Sequence, residues 1–151
     1  AISLASIGVK NAVASMGTAL TVEQLKGAAN MVDSSSILLC MDNDDAGRNA
    51  IERICSSNLI IKTPELGGTQ ILVATLPDGV KDPSDFVASN DAKVLFESKV
   101  LQQAQPWDEW YIRQLVKKHD DNDIDEFTSE YFLCQILLQH KVQKLKKYFM
   151  M

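Results

Sequence analysis

No apolar stretch of this chain approaches membrane-spanning length; Lys or Asp interrupts the longest run well short of the roughly 20 residues required. No membrane partner is therefore expected. The chain also has no Lys/Arg-led signal segment and starts with Ala1 rather than Met, so it reads as a fragment or processed product. Positive charge is in deficit: 15 Lys and Arg against 20 Asp and Glu leave a net charge of −5. That balance argues against binding nucleic acid by charge alone, but it leaves room for binding through a metal and a local basic face. Cysteine is scarce, and Cys40, Cys55 and Cys134 show neither a CxxC nor a Cys/His ligand spacing. They are expected to be reduced core residues in an intracellular compartment. His119 and His140 are solitary, and neither is expected to be a ligand. There is no internal repeat and no low-complexity segment. What remains is a chain of 151 residues, 46% hydrophobic and 23% charged, enough for one soluble domain with a core or a domain with a small appendage.

The most informative stretch is Ser36-Ile37-Leu38-Leu39-Cys40-Met41-Asp42-Asn43-Asp44-Asp45-Ala46-Gly47-Arg48. An apolar run ends in two carboxylates two residues apart, and a helix start follows at once. Side chains alternate along an extended chain, so Asp42 and Asp44 are expected on one side. Carboxylates gathered at a sheet end are costly unless paired, and a divalent cation removes that cost.

The elements around this run have clear signals. Ile2, Leu4, Ala5 and Ile7 before Gly8 suggest a helix with a glycine stop. Asn11 to Ser15 reads as a short buried strand, followed by a turn at Gly17-Thr18. Thr21 is expected to cap a helix reaching about Val32. Ser36–Met41 and Gln70–Leu76 read as strands, with a helix from Gly47 to about Ser57 between them. Pro77-Asp78-Gly79 is a turn signal, and Asp82-Pro83-Ser84-Asp85 opens another helix. Alternating strands and helices predict an α/β domain with a mainly parallel sheet. The character changes after about Ser98. A helix is expected from Pro106-Trp107, then an acidic linker over 119–126, then a helical stripe of Tyr131, Cys134, Leu138, Val142, Leu145 and Phe149. The expected division is a core over 1–98 and a small all-helical segment over 99–151.

Several chemistries were open to the acidic pair. An EF-hand loop fails, because Ala46 and Arg53 stand where its fifth and twelfth positions need oxygen ligands. A phosphatase of the haloacid-dehalogenase type also ends a strand in Asp-x-Asp, but Asp-Ala-Gly-Arg does not suit it. A solvated loop and helix cap is the plain alternative. Against it stands Leu76-Pro77-Asp78-Gly79-Val80-Lys81-Asp82-Pro83-Ser84-Asp85, a second strand end rich in carboxylates. Two parallel strands with carboxylates at the same end can converge on one cation, where open α/β sheets place their sites.

The three stretches Gly8 to Thr21, Met41 to Arg48 and Leu76 to Pro83, in that order and spacing, resemble the Toprim domain of bacterial-type DNA primases over about residues 1–90. Pro106 to Ile112 is similar to a segment after Toprim in the cyanobacterial and plastid branch. The resemblance implies a Rossmann-like Toprim core followed by the start of the primase's helical part. It implies magnesium- or manganese-dependent synthesis of short RNA primers from ribonucleoside triphosphates on a single-stranded DNA template, with a replicative helicase as a plausible partner. Asp42, Asp44 and Asp82 match the family's metal ligands, and Asp85 is a possible further ligand where Ser84 replaces an Asp carried by many members. Gly47 would keep the backbone close at the helix start. Arg48 would face phosphate or pair with a neighbouring carboxylate, and Thr18 would lie near a phosphate.

The same resemblance places the family's catalytic Glu upstream of Ala1. The expectation is therefore a chain that folds poorly or binds metal without polymerising. The alternatives are a non-catalytic primase homologue binding metal, nucleotide or a replication partner, and a Toprim nuclease or topoisomerase module. A plastid or mitochondrion is the expected compartment, with the bacterial cytoplasm as the alternative. Trp107 and Trp110 read as core rather than base-stacking residues. Lys141, Lys144, Lys146 and Lys147 read as a solvated face, or as a patch for a nucleic-acid backbone.

Overall fold

A computed structural model describes residues 1–15, 17, 20–31, 36–56, 60 and 69–119. Thr18, Cys134, His140, the lysines after residue 140 and the apolar stripe from Tyr131 to Phe149 lie outside the described residues. The chain divides into two compact units, 1–107 and 108–151. The second unit is described only for the helix α5, Trp107–His119, which starts at the division.

The first unit opens with α1, Ile2–Ser6. Gly8 takes φ 91°, and the Val9 and Gly8 amides donate to the Leu4 and Ala5 carbonyls at 2.9 and 3.0 Å. This is a Schellman closure, and the glycine stop seen in the sequence supplies its left-handed residue. Helix α2, Val22–Met31, begins at a reciprocal cap. The Gln24 amide donates to Thr21 Oγ1 at 3.2 Å, and the Thr21 amide donates to Gln24 Oε1 at 2.9 Å.

Strand β1, Ser36–Cys40, pairs in parallel with β2, Gln70–Ala74, from Ser36 opposite Gln70 to Cys40 opposite Ala74. Helix α3, Asp45–Ser56, lies between them in sequence, as a parallel pair requires. It buries Ala50, Ile51, Ile54 and Cys55, a spacing that gives one apolar face. After β2 come a 3-10 helix at Pro83–Ala88, α4 at Ala92–Phe96 and a π-helical turn at Glu97–Leu101. Strand β3, Gln105–Pro106, pairs antiparallel with Leu72 and Val73 of β2. The sheet order is β1-β2-β3.

The protein is thus an α/β fold with a mixed sheet flanked by helices. The parallel pair agrees with the expectation; the antiparallel β3 was not anticipated, because two residues ending in proline carry no strand signal. The core cluster joins Leu4, Ala74, Leu76, Phe86, Phe96 and Val100, with the Phe86 and Phe96 rings edge to face at 5.6 Å. Val100 packs in this core and β3 pairs with β2, so both belong to the first unit. Asn11 to Ser15 is not a strand. Val13 is 76% exposed, and the segment has no ladder partner among the described residues, without which a strand leaves its amides unpaired.

Candidate metal centre

Both acidic stretches emerge at the same end of the parallel pair. Cys40 and Ala74 are opposite each other in the last register position, so the chain leaves β1 toward Asp42 beside the place where it leaves β2 toward Leu76. Parallel pairing alone brings the two strand ends together.

Each carboxylate then has its own surroundings. Asp44 caps α3: its Oδ1 accepts the Gly47 amide at 2.7 Å, and its carbonyl accepts the Arg48 amide at 3.0 Å. This cap starts the helix two residues earlier than the apolar periodicity predicts. Asp82 caps the 3-10 helix, with its Oδ1 accepting the Ser84 amide at 2.6 Å. Pro83 fits the first helical position, where no N–H is required. Asp85 faces inward on its own loop, and its Oδ2 accepts the Lys81 amide at 2.9 Å and the Asp82 amide at 3.1 Å. Through these bonds Asp85 clamps the loop that carries Asp82. Asp42 accepts no hydrogen bond among the described residues.

The electrostatics separate Asp42 from Asp82. Asp42 is exposed, yet partial burial at the end of β1 pushes its carboxyl above the usual carboxylate range. The charges of Asp82, Asp44 and Asp85 push it the same way. Asp82 lies below that range, held there chiefly by hydrogen bonding from the Ser84 side chain and then from the Ser84 amide. The Cys40 thiol, two residues before Asp42, is pushed up to about 11 by burial and by the charges of Asp42 and Asp82. It stays protonated at neutral pH in the metal-free chain. Cys40 and Cys55 are thiols, half-buried and buried respectively.

The donor set is all oxygen, which suits a hard divalent cation. Among the described residues, however, no three acidic, His or Cys side chains are already close enough to enclose an ion. Asp42, Asp44 and Asp82 share one electrostatic neighbourhood without forming a closed cage. A magnesium site normally takes only one or two carboxylates and keeps waters or substrate phosphates, so this openness is compatible with that ion.

Arg48 does not point to a free anion site. Its Nη2 pairs with Asp45 Oδ1 at 2.8 Å, and its Nη1 donates to Asn43 Oδ1 at 3.4 Å. Of the two roles open to it in the sequence, the structure contains the pairing with a neighbouring carboxylate. Gly47 has the close approach expected of it, since a Cβ there would meet the Asp42 main chain. The residue that sequence reasoning passed over is Asn43, whose amide groups bond to the loop after β2. Its only signal was its place between two carboxylates.

The profile of the Toprim-like family matches residues 1–87. The DNA primase of Pseudomonas aeruginosa is 38% identical over 120 residues, covering 79% of this chain and 17% of that protein. The DNA primase of Synechococcus elongatus is 32% identical over 146 residues, covering 97% of this chain and 19% of its own length. That of Synechocystis is 30% identical over 126 residues, covering 83% and 19%. The chain spans about a fifth of the length of these relatives. No solved structure matches. With 87 of its 151 residues in the family profile and a parallel β1-α3-β2 unit carrying the acidic strand ends, the chain belongs to the Toprim-like family, in the form found in DNA primases.

Proposed function

We propose that this chain forms the divalent-cation part of a primase polymerisation site, with Asp42, Asp44 and Asp82 as ligands to magnesium or manganese. The observation that carries the reading is the raised Asp42 carboxyl, which has no hydrogen-bond partner among the described residues and feels three other carboxylates from both strand ends. A group held in that state gains from a cation more than it would from water. Asp44 and Asp82 each use one oxygen as a cap, which fixes the carboxylate and leaves the other oxygen to face an ion.

In this role Asp42 meets the cation as a carboxylate that no other group among the described residues holds. The two caps hold Asp44 and Asp82 without cost to helix geometry. Asp85 keeps the Lys81–Asp82 backbone in place from behind. The bound ion supplies charge neutralisation for the phosphates of a ribonucleoside triphosphate. Single-stranded DNA as template belongs to the same proposal, supported by the likeness to DNA primases, and a replicative helicase as partner is proposed with it.

Retention of radiolabelled GTP tests it. Retention that requires Mg2+ or Mn2+, disappears with EDTA and disappears in Asp42→Ala is expected. Retention indifferent to EDTA and to Asp42→Ala would contradict the reading.

A further inference from the structure

Asn43 sits between Asp42 and Asp44, and every hydrogen-bonding group of its side chain is engaged. Its main-chain N–H donates to the Lys81 carbonyl at 2.8 Å. Its side-chain amide nitrogen donates to the Val80 carbonyl at 3.2 Å and, more weakly, to the Leu76 carbonyl at 3.5 Å. Its Oδ1 accepts from Arg48 Nη1 at 3.4 Å. An amide has two N–H donors on one side and one acceptor on the other, which matches two carbonyls and a guanidinium. Aspartate in the same shape would turn an acceptor toward the two carbonyls. Glycine, alanine and serine cannot span the gap with both bonds.

These bonds cross from one acidic loop to the other. Leu76, Val80 and Lys81 belong to the stretch that delivers Asp82 and Asp85, and Asn43 belongs to the stretch that delivers Asp42 and Asp44. Asp42 and Asp44 on one loop and Asp82 and Asp85 on the other carry like charge, which pushes the loops apart. The Asn43 bonds are neutral and half-buried, so salt does not screen them as it screens surface charge.

We propose that Asn43 is a positioning residue of the metal site: it ties the Asp42–Asp44 loop to the Leu76–Asp82 loop, so that carboxylates from both strands reach the same cation. This rests on the cation reading given above. Asn43 is not itself a ligand, since its donors face carbonyls and its oxygen faces Arg48. Its role is that of the outer partners which orient metal ligands and whose loss typically weakens metal affinity about 10- to 100-fold.

The test is a Mn2+ titration of the 151-residue chain followed by paramagnetic broadening of backbone amide signals, with a metal-free melting curve for each variant as the folding control. In the unaltered chain, Mn2+ is expected to broaden residues 42–48 and 80–86 together. In Asn43→Gly and Asn43→Ser the affinity, read from the midpoint of the broadening, should fall at least about tenfold while the variants remain folded. A merely structural role would lower the melting temperature and leave the Mn2+ affinity within about twofold of the unaltered chain. Asn43→Ser adds little backbone freedom and decides the question if the glycine variant unfolds. Folded variants in which both loops still broaden together, with affinity within about twofold of the unaltered chain, would overturn the inference. In that case loss of all broadening in Asp42→Ala would show that the cation reading survives. Absence of broadening in the unaltered chain would overturn both.

Discussion

Gly47, the third residue of α3, lies against the main chain of Asp42: a methyl group on it would overlap the Asp42 carbonyl oxygen and come within 3.0 Å of the carbonyl carbon and 3.1 Å of the amide nitrogen. The contacts are to backbone, which cannot swing away as a side chain can. The first turn of α3 and the end of β1 therefore fit only with hydrogen at this position. The same contact sets where Asp42 leaves the strand.

Gly47→Ala is accordingly expected to destabilise the protein by about 1–3 kcal/mol through overpacking. Helix propensity alone would favour alanine by about 1 kcal/mol. Urea denaturation distinguishes the two, because their signs are opposite.

Asp85→Ala should remove the acceptor for the Lys81 and Asp82 amides and cost on the order of 1 kcal/mol, the usual scale for a lost cap. Asp85→Asn keeps an oxygen acceptor and should recover most of that loss. Divalent-cation affinity, followed by calorimetry, should fall less in Asp85→Asn than in Asp42→Ala. Equal losses would make Asp85 a ligand rather than a clamp.

Asp42 and Asp82 titrate in opposite senses, which gives the metal-free protein a testable pH dependence. The folded-state value of Asp42 is raised, so the folded state holds that proton more tightly than the unfolded chain. Its effect is most favourable below the ordinary carboxylate range and is lost as pH rises through the raised value. The folded-state value of Asp82 is lowered, so its contribution is present above the ordinary range and is lost as pH falls through the lowered value. Asp42→Asn should therefore gain stability over the unaltered chain at pH 7, with the difference shrinking as the carboxylates protonate. Denaturation midpoints across the acidic range check this.

Cys40 should resist alkylation. With its thiol pushed up to about 11, little thiolate exists at pH 8, and modification by iodoacetamide should be at least about tenfold slower than for an exposed cysteine. Peptide mapping by mass spectrometry gives the rate. Asp42→Asn should speed it modestly by removing one of the charges that hold the proton on.

The elements that frame the site were legible because their signals are local. Gly8 after an apolar helix, Thr21 before one, Pro83 after Asp82 and the two apolar runs all act within a few residues, and the structure places helices and strands there. The acidic ends were legible for the same reason. The Asn43 bonds were not, since they join residues 33 to 38 apart and depend on the β1–β2 register. The cap at Asp44 was one of the alternatives open in the sequence, but the helix start was placed at Gly47, because apolar spacing locates the buried face of α3, starting at Ala50, and says little about its first polar turn. Asn11 to Ser15 misled because small apolar residues suit a strand, a loop or a helix end about equally until a partner is known.

The most direct test of the account is isothermal titration of Mn2+ into the metal-free chain and into Asp42→Ala. The account predicts saturable binding that strengthens as pH rises through the raised Asp42 value and is abolished in the variant. Unchanged affinity in Asp42→Ala, with the variant folded, would contradict it.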